Sequence, residues 1–128
     1  VRNTDENKLQ AAEAEIQEHL KKIAIEEGVT ISSRPLARFE PVVFDDHVTT
    51  LIETIAVQQG NSTSRLPSGA GHDAQMLARV CPSSMIFVPS VNGISHNPAE
   101  FTSAEELEAG ANVLLHTMIQ LANTEDFS

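Results

Sequence analysis

The sequence has 128 residues, a formal net charge of −10 and 41% hydrophobic side chains. Those proportions are typical of a folded globular chain, and the length allows one modest domain or parts of two. The 18 acidic side chains against 8 basic ones exclude a nucleic-acid surface, because phosphate binding needs clustered Lys and Arg.

The sequence also bears on the cellular location of the protein and on whether the chain is part of a longer polypeptide. No apolar run approaches the roughly 18–20 residues that a membrane span needs, so we expect no membrane partner and a cytoplasmic location. The single Cys81 excludes an internal disulfide and suits a reducing compartment, and we expect a buried structural thiol there. Because Val1 is not preceded by an initiator Met, we expect the chain to be cut from a longer polypeptide.

The first predicted element is an amphipathic helix from about Thr4 to Glu27. Apolar residues recur along it at spacings of three and four: Leu9, Ala12, Ile16, Leu20 and Ile23. Thr4 or Asp5 can cap its start, and Gly28 suits a left-handed position after its end. Residues 29–39 predict a strand, which Pro35 would confine to a sheet edge or a bulge.

A predicted turn or linker near Pro41 separates the first helix and strand from the elements that follow, and we expect a domain boundary there. A second helix follows this boundary. Asp45 or Asp46 can cap this helix, and Gly60 ends it. Its apolar face is formed by Val48, Leu51, Ile52, Ile55 and Ala56. A short polar strand is predicted at residues 62–66.

The rest of the chain predicts two more helices and one buried strand. A short helix is expected from Asp73 to Val80, and the apolar run at residues 84–88 has the length of a buried strand. Thr102 or Ser103 begins the last helix, each with a Glu three positions later, as in a capping box. The predicted buried face of this helix is Leu107, Ala111, Leu114, Leu115, Met118 and Leu121. Strands alternating with helices after Asp45 predict α/β layering with a parallel component.

A glycine-rich loop, Ser-Gly-Ala-Gly-His-Asp-Ala, runs from Ser68 to Ala74. Small residues let the backbone approach a ligand, and amides at the following helix start can bind an anion or a developing oxyanion. His72 at that edge can donate a hydrogen bond to a carbonyl or a carboxylate. The alternative is a tight turn with His72 on the surface, since the ending of a phosphate-binding P-loop is absent.

A second loop, Asn-Gly-Ile-Ser-His-Asn-Pro-Ala-Glu, runs from Asn92 to Glu100 after the predicted buried strand. His96 is neutral near pH 7 in most environments and is therefore available as a metal ligand. Pro98 stiffens the loop, and we expect Glu100 to hydrogen-bond within it and orient it. No second ligand stands at a local spacing, so a solvated surface histidine is the alternative.

Three motifs in order, at residues 68–74, 85–90 and 93–100, resemble the C-terminal part of the N-carbamoyl-L-amino acid hydrolases. That family includes allantoate amidohydrolases and β-ureidopropionases, and it consists of dinuclear metal amidases related to aminoacylases and zinc carboxypeptidases. Each motif alone is modest, but the three together are highly specific. The Arg2–Asp5 segment resembles the end of a strand in the lid domain of these enzymes.

The resemblance implies an architecture of two partial domains. Residues 1–41 would be the C-terminal half of an α+β, ferredoxin-like lid and dimerisation domain. Residues 42–128 would be the C-terminal part of a metallo-aminopeptidase-like α/β catalytic domain. The parent protein would be a homodimer paired through the lid.

The resemblance also implies roles for four residues. His96 resembles the last ligand of one of two divalent ions, zinc or manganese, with cobalt as a further option. Arg2 resembles the lid arginine that grips the substrate carboxylate, while His72 and the Gly71 backbone resemble groups that contact substrate and stabilise the tetrahedral intermediate. In the family, metal-activated water attacks the carbamoyl or ureido carbonyl with the help of a glutamate general base.

Several of the family's functional residues have no counterpart in this chain. The other metal ligands, the glutamate base and the lid asparagine would lie upstream, so no catalytic residue is assigned here. A catalytic metal needs about three protein ligands, and we therefore expect these 128 residues alone to be inactive and to bind no metal tightly. The alternative is a small non-catalytic α/β binding or dimerisation module that uses the loop at 68–73 for anions. N-carbamoyl-L-amino acids and allantoate both remain candidate substrates.

Overall fold

The computed structural model describes residues 1–124. Along this range the chain forms helices α1 (Glu6–Glu26), α2 (Asp46–Gln58), α3 (Ala74–Leu77) and α4 (Ala104–Ala122), with a 3₁₀ turn at Val91–Gly93. No helix among these residues has the length and apolar character required to cross a membrane.

The chain divides into two compact units. The first is Val1–Val43 together with Pro67–Gly71, and the second is Phe44–Leu66 together with the chain from His72 onward. The sequence boundary near Pro41 does not anticipate that residues 67–71 join the first unit. The assignment of residues 1–41 to a lid and 42–128 to a catalytic domain stays a prediction.

Local signals set the ends of the first two helices as the sequence predicts. The Asp5 carboxylate accepts hydrogen bonds from two first-turn amides of α1, and Asp45 accepts one from the Val48 N–H of α2 at 2.8 Å. Both helices end before a left-handed glycine, Gly28 with φ 62° and Gly60 with φ 83°. Because a left-handed backbone carries no Cβ penalty at glycine, the sequence itself specifies these ends.

The strand predictions at residues 29–39, 62–66 and 84–88, and a strand ending at Arg2, are wrong within residues 1–124. These segments are irregular, and none of them joins a ladder there. Alternating or apolar sequence favours an extended backbone, but a strand exists only through hydrogen bonds to a neighbouring strand. The predicted α/β layering is therefore absent from the described chain, which is helical.

In the first unit, two ion pairs connect Arg38 to α1. Arg38 donates from Nη2 to the Glu6 Oε1 at 2.6 Å and from Nε to the Glu13 Oε2 at 3.0 Å. The Arg38 hydrogen bond and a second one from Gln10 hold the pKa of the Glu6 carboxyl below its usual value. Side-chain hydrogen bonds, rather than a backbone ladder, therefore attach the chain at Arg38 to α1.

Arg65 plays the corresponding part in the second unit. Its guanidinium donates to the Asp46 Oδ1 at 2.6 Å, to the Glu53 Oε2 at 3.0 Å and to the Thr50 Oγ1 at 2.8 Å. The hydrogen bonds that it donates to the Asp46 and Glu53 carboxylates raise the pKa of this guanidinium. The polar segment at 62–66 therefore lies along α2 as an attached loop.

The apolar core of the second unit lies where α2 packs against α4. Ile55, Ala56 and Val113 are buried there, and Leu51, Ile52 and Ile86 pack around them. Although residues 84–88 form no strand, Ile86 still reaches this core. The neighbouring residues are tied to the start of α2, since the Asp45 N–H donates to the Ser83 carbonyl at 3.0 Å.

The face of α4 that packs inward differs from the predicted one. Val113 and Thr117 are each only 4% exposed, whereas Leu107, Leu114 and Met118 are 53%, 50% and 59% exposed. The helix carries apolar side chains around most of its circumference, so periodicity alone does not choose a face. The choice is made by contact with α2 and residues 84–88.

Gly110 on that inner face allows α4 to approach residues 84–88 closely. A Cβ built at Gly110 would overlap the Cγ1 atom of Val88. Glycine is unfavourable in a helix interior. The close approach of Val88 is the physical reason that a glycine is nevertheless suited to position 110.

Two smaller expectations are also corrected. The helix predicted from Asp73 to Val80 is the single turn α3, followed by turns rather than further helix. Cys81 is exposed, not buried, because it lies in the turn that follows.

Candidate functional site

Arg2 lies against the part of the glycine-rich loop that belongs to the first unit. A Cβ built at Gly69 would stand 3.5 Å from the Arg2 Cδ and 3.6 Å from its Nη1. Gly71 belongs to the same unit, and Arg2 itself is exposed. An exposed guanidinium beside a glycine backbone can receive a carboxylate through two parallel hydrogen bonds.

The glycine-rich loop itself uses one of its amides locally. The Ala70 N–H donates to the Ser68 Oγ at 3.3 Å. An amide already engaged by a side chain contributes less to an anion site, so the loop offers fewer donors than its sequence indicates.

In the second unit, His72 is half-buried and held from two sides. Its ring meets the Phe87 ring edge-on, with centroids 5.6 Å apart and planes at 66°. Its backbone N–H donates to the Gln75 Oε1 at 3.2 Å. Edge-to-face contact is a favoured geometry for aromatic rings and restricts the imidazole orientation. His72 is therefore a packed residue rather than a freely rotating surface side chain.

Sequence reasoning missed both partners of His72. Gln75 had a recognisable signal, because a Gln three residues after a helix-start position commonly reaches back to the backbone. Phe87 had only the weaker signal of an aromatic residue in the apolar run before the second loop. It is 60% exposed, with its edge contact to His72 among its packing interactions.

His96 stands exposed in the second loop, in an unusual backbone conformation. Its φ is +55°, and its backbone N–H donates to the Glu100 Oε2 at 2.8 Å. The expected hydrogen bond of Glu100 within the loop is confirmed. A left-handed non-glycine residue costs on the order of 1–3 kcal/mol, and such residues are concentrated at functional sites.

The described residues do not fit a catalytic metal on their own. No group of three His, Cys, Asp or Glu side chains within residues 1–124 is arranged to hold an ion. A catalytic centre needs about three protein ligands, so His96 would have to be one member of a larger set.

A groove of about 610 Å³ lies elsewhere in the second unit, between α2 and α4. Ile55, Gln59, Asn112 and His116 are among its lining residues, and none of the four predicted site residues is. The predicted site and this groove are therefore distinct features of the molecule.

With this geometry in place, comparison with known proteins identifies the class. The sequence matches Peptidase family M20/M25/M40 over residues 6–120. This chain belongs to that family.

Within this family, the chain is similar to particular curated relatives and solved structures. The chain is 40% identical over 122 residues to the N-carbamoyl-L-amino-acid amidohydrolase of Rhizobium meliloti, covering 95% of this chain and 29% of that protein. It is 34% identical over 122 residues to the allantoate amidohydrolase of Bacillus subtilis, covering 95% and 30%. A crystal structure of an amidase of the hydantoinase/carbamoylase family from Burkholderia vietnamiensis aligns with a TM-score of 0.88 and 37% identity, covering 98% and 30%.

The chain therefore spans between a quarter and a third of the length of the relatives it matches. The predicted resemblance to the N-carbamoyl-L-amino acid hydrolases and allantoate amidohydrolases is confirmed.

Proposed function

We propose that this chain is part of a hydrolase that cleaves the carbamoyl or ureido C–N bond of N-carbamoyl-L-amino acids or allantoate. The observation that carries the proposal is the family match over residues 6–120, joined to relatives named for these two substrates. The ordered motifs at 68–74, 85–90 and 93–100 supply the residues through which the chain would take part.

Three groups would handle the substrate. Arg2 would bind the substrate carboxylate, a task suited to a planar guanidinium with paired donors. His72, with the Gly71 backbone, would contact the scissile carbonyl and stabilise negative charge as the carbon becomes tetrahedral. The contact of His72 with Phe87 supports this role, because a donor that is held in place stabilises charge without reorganising.

The metal chemistry of the family is a further part of the proposal. Two divalent ions, zinc or manganese with cobalt as an option, are implied by the resemblance, and His96 is the candidate ligand from this chain. Residues 1–124 supply no group of three ligands, so His96 would need partner ligands from outside these residues. For the same reason we expect the 128 residues alone to be inactive.

The domain roles follow the same resemblance. Residues 1–41 would belong to a lid domain of ferredoxin-like α+β form that pairs in a homodimer, and residues 42–128 to an α/β catalytic domain. The strands of those layers would need partners other than the described residues.

The alternative, a non-catalytic module that binds anions at residues 68–73, has less support. The Ala70 and His72 amides already donate to the Ser68 and Gln75 side chains. A strong anion site needs such amides free to point at the ligand.

The proposal is tested by replacing the matching stretch of the Rhizobium meliloti amidohydrolase with this chain. We expect the folded chimera to release ammonia from an N-carbamoyl-L-amino acid or from allantoate. Arg2→Ala should lower kcat/KM about 100-fold or more, mainly by raising KM, because two charge-assisted hydrogen bonds are lost. His96→Ala should abolish activity.

Matched controls are available in the chain. Arg34→Ala and His19→Ala replace exposed residues of the same types outside the proposed site and should leave kcat/KM unchanged. A chimera with the circular dichroism of the parent but no activity on either substrate would contradict the proposal. Hydrolysis by the 128-residue chain alone, with stoichiometric zinc or manganese, would contradict the expectation that it is incomplete.

A further inference from the structure

The loop after His96 closes on itself through a short turn. The Glu100 N–H donates to the Asn97 carbonyl at 2.9 Å, and the Ala99 N–H donates to the Asn97 Oδ1 at 2.9 Å. Asn at the first position and Pro98 at the second are the residues that such a turn favours. The turn at residues 97–100 therefore brings Glu100 back towards His96, the residue that precedes the turn.

The Glu100 side chain meets His96 at the point where the backbone is left-handed. Its Oε2 accepts from the His96 N–H at 2.8 Å, while φ of His96 is +55°. A residue with a Cβ adopts this conformation only where its surroundings compensate the steric cost. A hydrogen bond from an amide to a carboxylate is among the stronger kinds and can supply that compensation.

We propose that Glu100 is a positioning residue: its carboxylate holds His96 in the left-handed conformation and so sets the direction in which the imidazole leaves the loop. The importance of that direction for catalysis rests on the proposed function, in which His96 is a ligand. The conformational effect itself belongs to this chain and is present without metal or substrate.

The loop conformation can be measured directly in the ¹⁵N-labelled 128-residue chain. Nuclear magnetic resonance gives the water-exchange rate of the His96 amide and the three-bond coupling that reports its φ. In Glu100→Ala we expect exchange to accelerate at least about tenfold and the coupling to change, because the amide loses a charged acceptor. Glu100→Gln keeps an acceptor oxygen and should give an intermediate rate.

Two further variants separate positioning from a general loss of structure. Glu108→Ala, an exposed glutamate on α4, should leave both signals of His96 unchanged. Adding His96→Gly to Glu100→Ala should return the Asn97–Glu100 turn resonances towards their original positions, because glycine is left-handed without strain.

An unchanged exchange rate and coupling in Glu100→Ala would overturn the inference, as would an equal effect of Glu108→Ala. Neither measurement involves hydrolysis. An inactive chimera would therefore count against the proposed function and leave this result intact, and an unaffected His96 amide would do the reverse.

Discussion

At the scale of single residues, the contact between Gly110 and Val88 shows how tertiary packing overrides intrinsic preference. Alanine is favoured over glycine in a helix interior by about 1 kcal/mol. The Cβ that alanine would add overlaps the Val88 Cγ1, and overpacking of this kind costs about 1–3 kcal/mol. The steric cost should exceed the gain in helix propensity.

We therefore predict that Gly110→Ala lowers the free energy of unfolding by up to about 2 kcal/mol. In a Val88→Ala background the obstructing methyl is gone, and the same substitution should raise stability by up to about 1 kcal/mol. Urea denaturation of the four proteins in this double-mutant cycle measures both values. A stabilising effect of Gly110→Ala in the original background would show that Val88 yields without cost.

At the scale of elements, the helix ends and the helix faces have different origins. The end of α2 is a Schellman motif, in which the Asn61 N–H donates to the Ala56 carbonyl and the Gly60 N–H to the Val57 carbonyl. Every group in that motif lies within six residues, so the sequence predicts it. The buried face of α4 depends instead on α2, more than 45 positions earlier, and the sequence predicts it incorrectly.

The two faces of α4 can be compared by truncating neighbouring residues. Val113→Ala removes two buried methyl groups and should cost about 1.5–3 kcal/mol of unfolding free energy. Leu114→Ala, on the predicted but exposed face, should stay within about 0.5 kcal/mol of the original. Equilibrium denaturation of the two variants provides the measurement, and a larger loss for Leu114→Ala would restore the face predicted from periodicity.

At the scale of the whole molecule, both units have ion pairs but they differ in how much buried apolar contact accompanies them. The second has the apolar cluster of Ile55, Ala56 and Val113. Among the described residues of the first unit, Leu9 is the one buried hydrophobic side chain, and ion pairs connect Arg38 to α1. The first unit should therefore be more sensitive to pH and salt.

The pH dependence follows from the lowered pKa of Glu6. Its ionised form is stabilised in the folded chain, so this stabilisation is complete above the usual glutamate pKa of about 4.3 and is lost as pH falls through the lowered value. Arg38→Gln should reduce protection of α1 against hydrogen exchange at pH 7, and the difference from the original chain should shrink as the pH falls through the lowered pKa of Glu6.

Hydrogen exchange followed by mass spectrometry separates peptides of α1 from those of α2 and α4. Arg34→Gln is the matched control, since Arg34 forms no ion pair among residues 1–124. An equal loss of protection in α2 and α4 peptides, or a difference in α1 that stays constant as the pH is lowered until the carboxylates are protonated, would contradict the assignment to the Glu6–Arg38 pair.

The sequence by itself determined the starts of α1, α2 and α4, the glycine ends of α1 and α2, and the family. These depend on local hydrogen bonds, or on the identity and order of residues in the motifs, and neither requires knowledge of the neighbours in space. The prediction that Glu100 hydrogen-bonds within the loop at residues 92–100 is confirmed, and it too depends on residues close in the sequence.

Only the tertiary structure decided which apolar segments pair, which side of α4 is buried, and what holds His72. A strand needs a partner at hydrogen-bonding distance, a helix with apolar residues on most sides can bury any of them, and the His72–Phe87 contact joins residues 15 positions apart. Each outcome depends on which surfaces pack together. The free energy of those tertiary contacts cannot be read from any local pattern of residues.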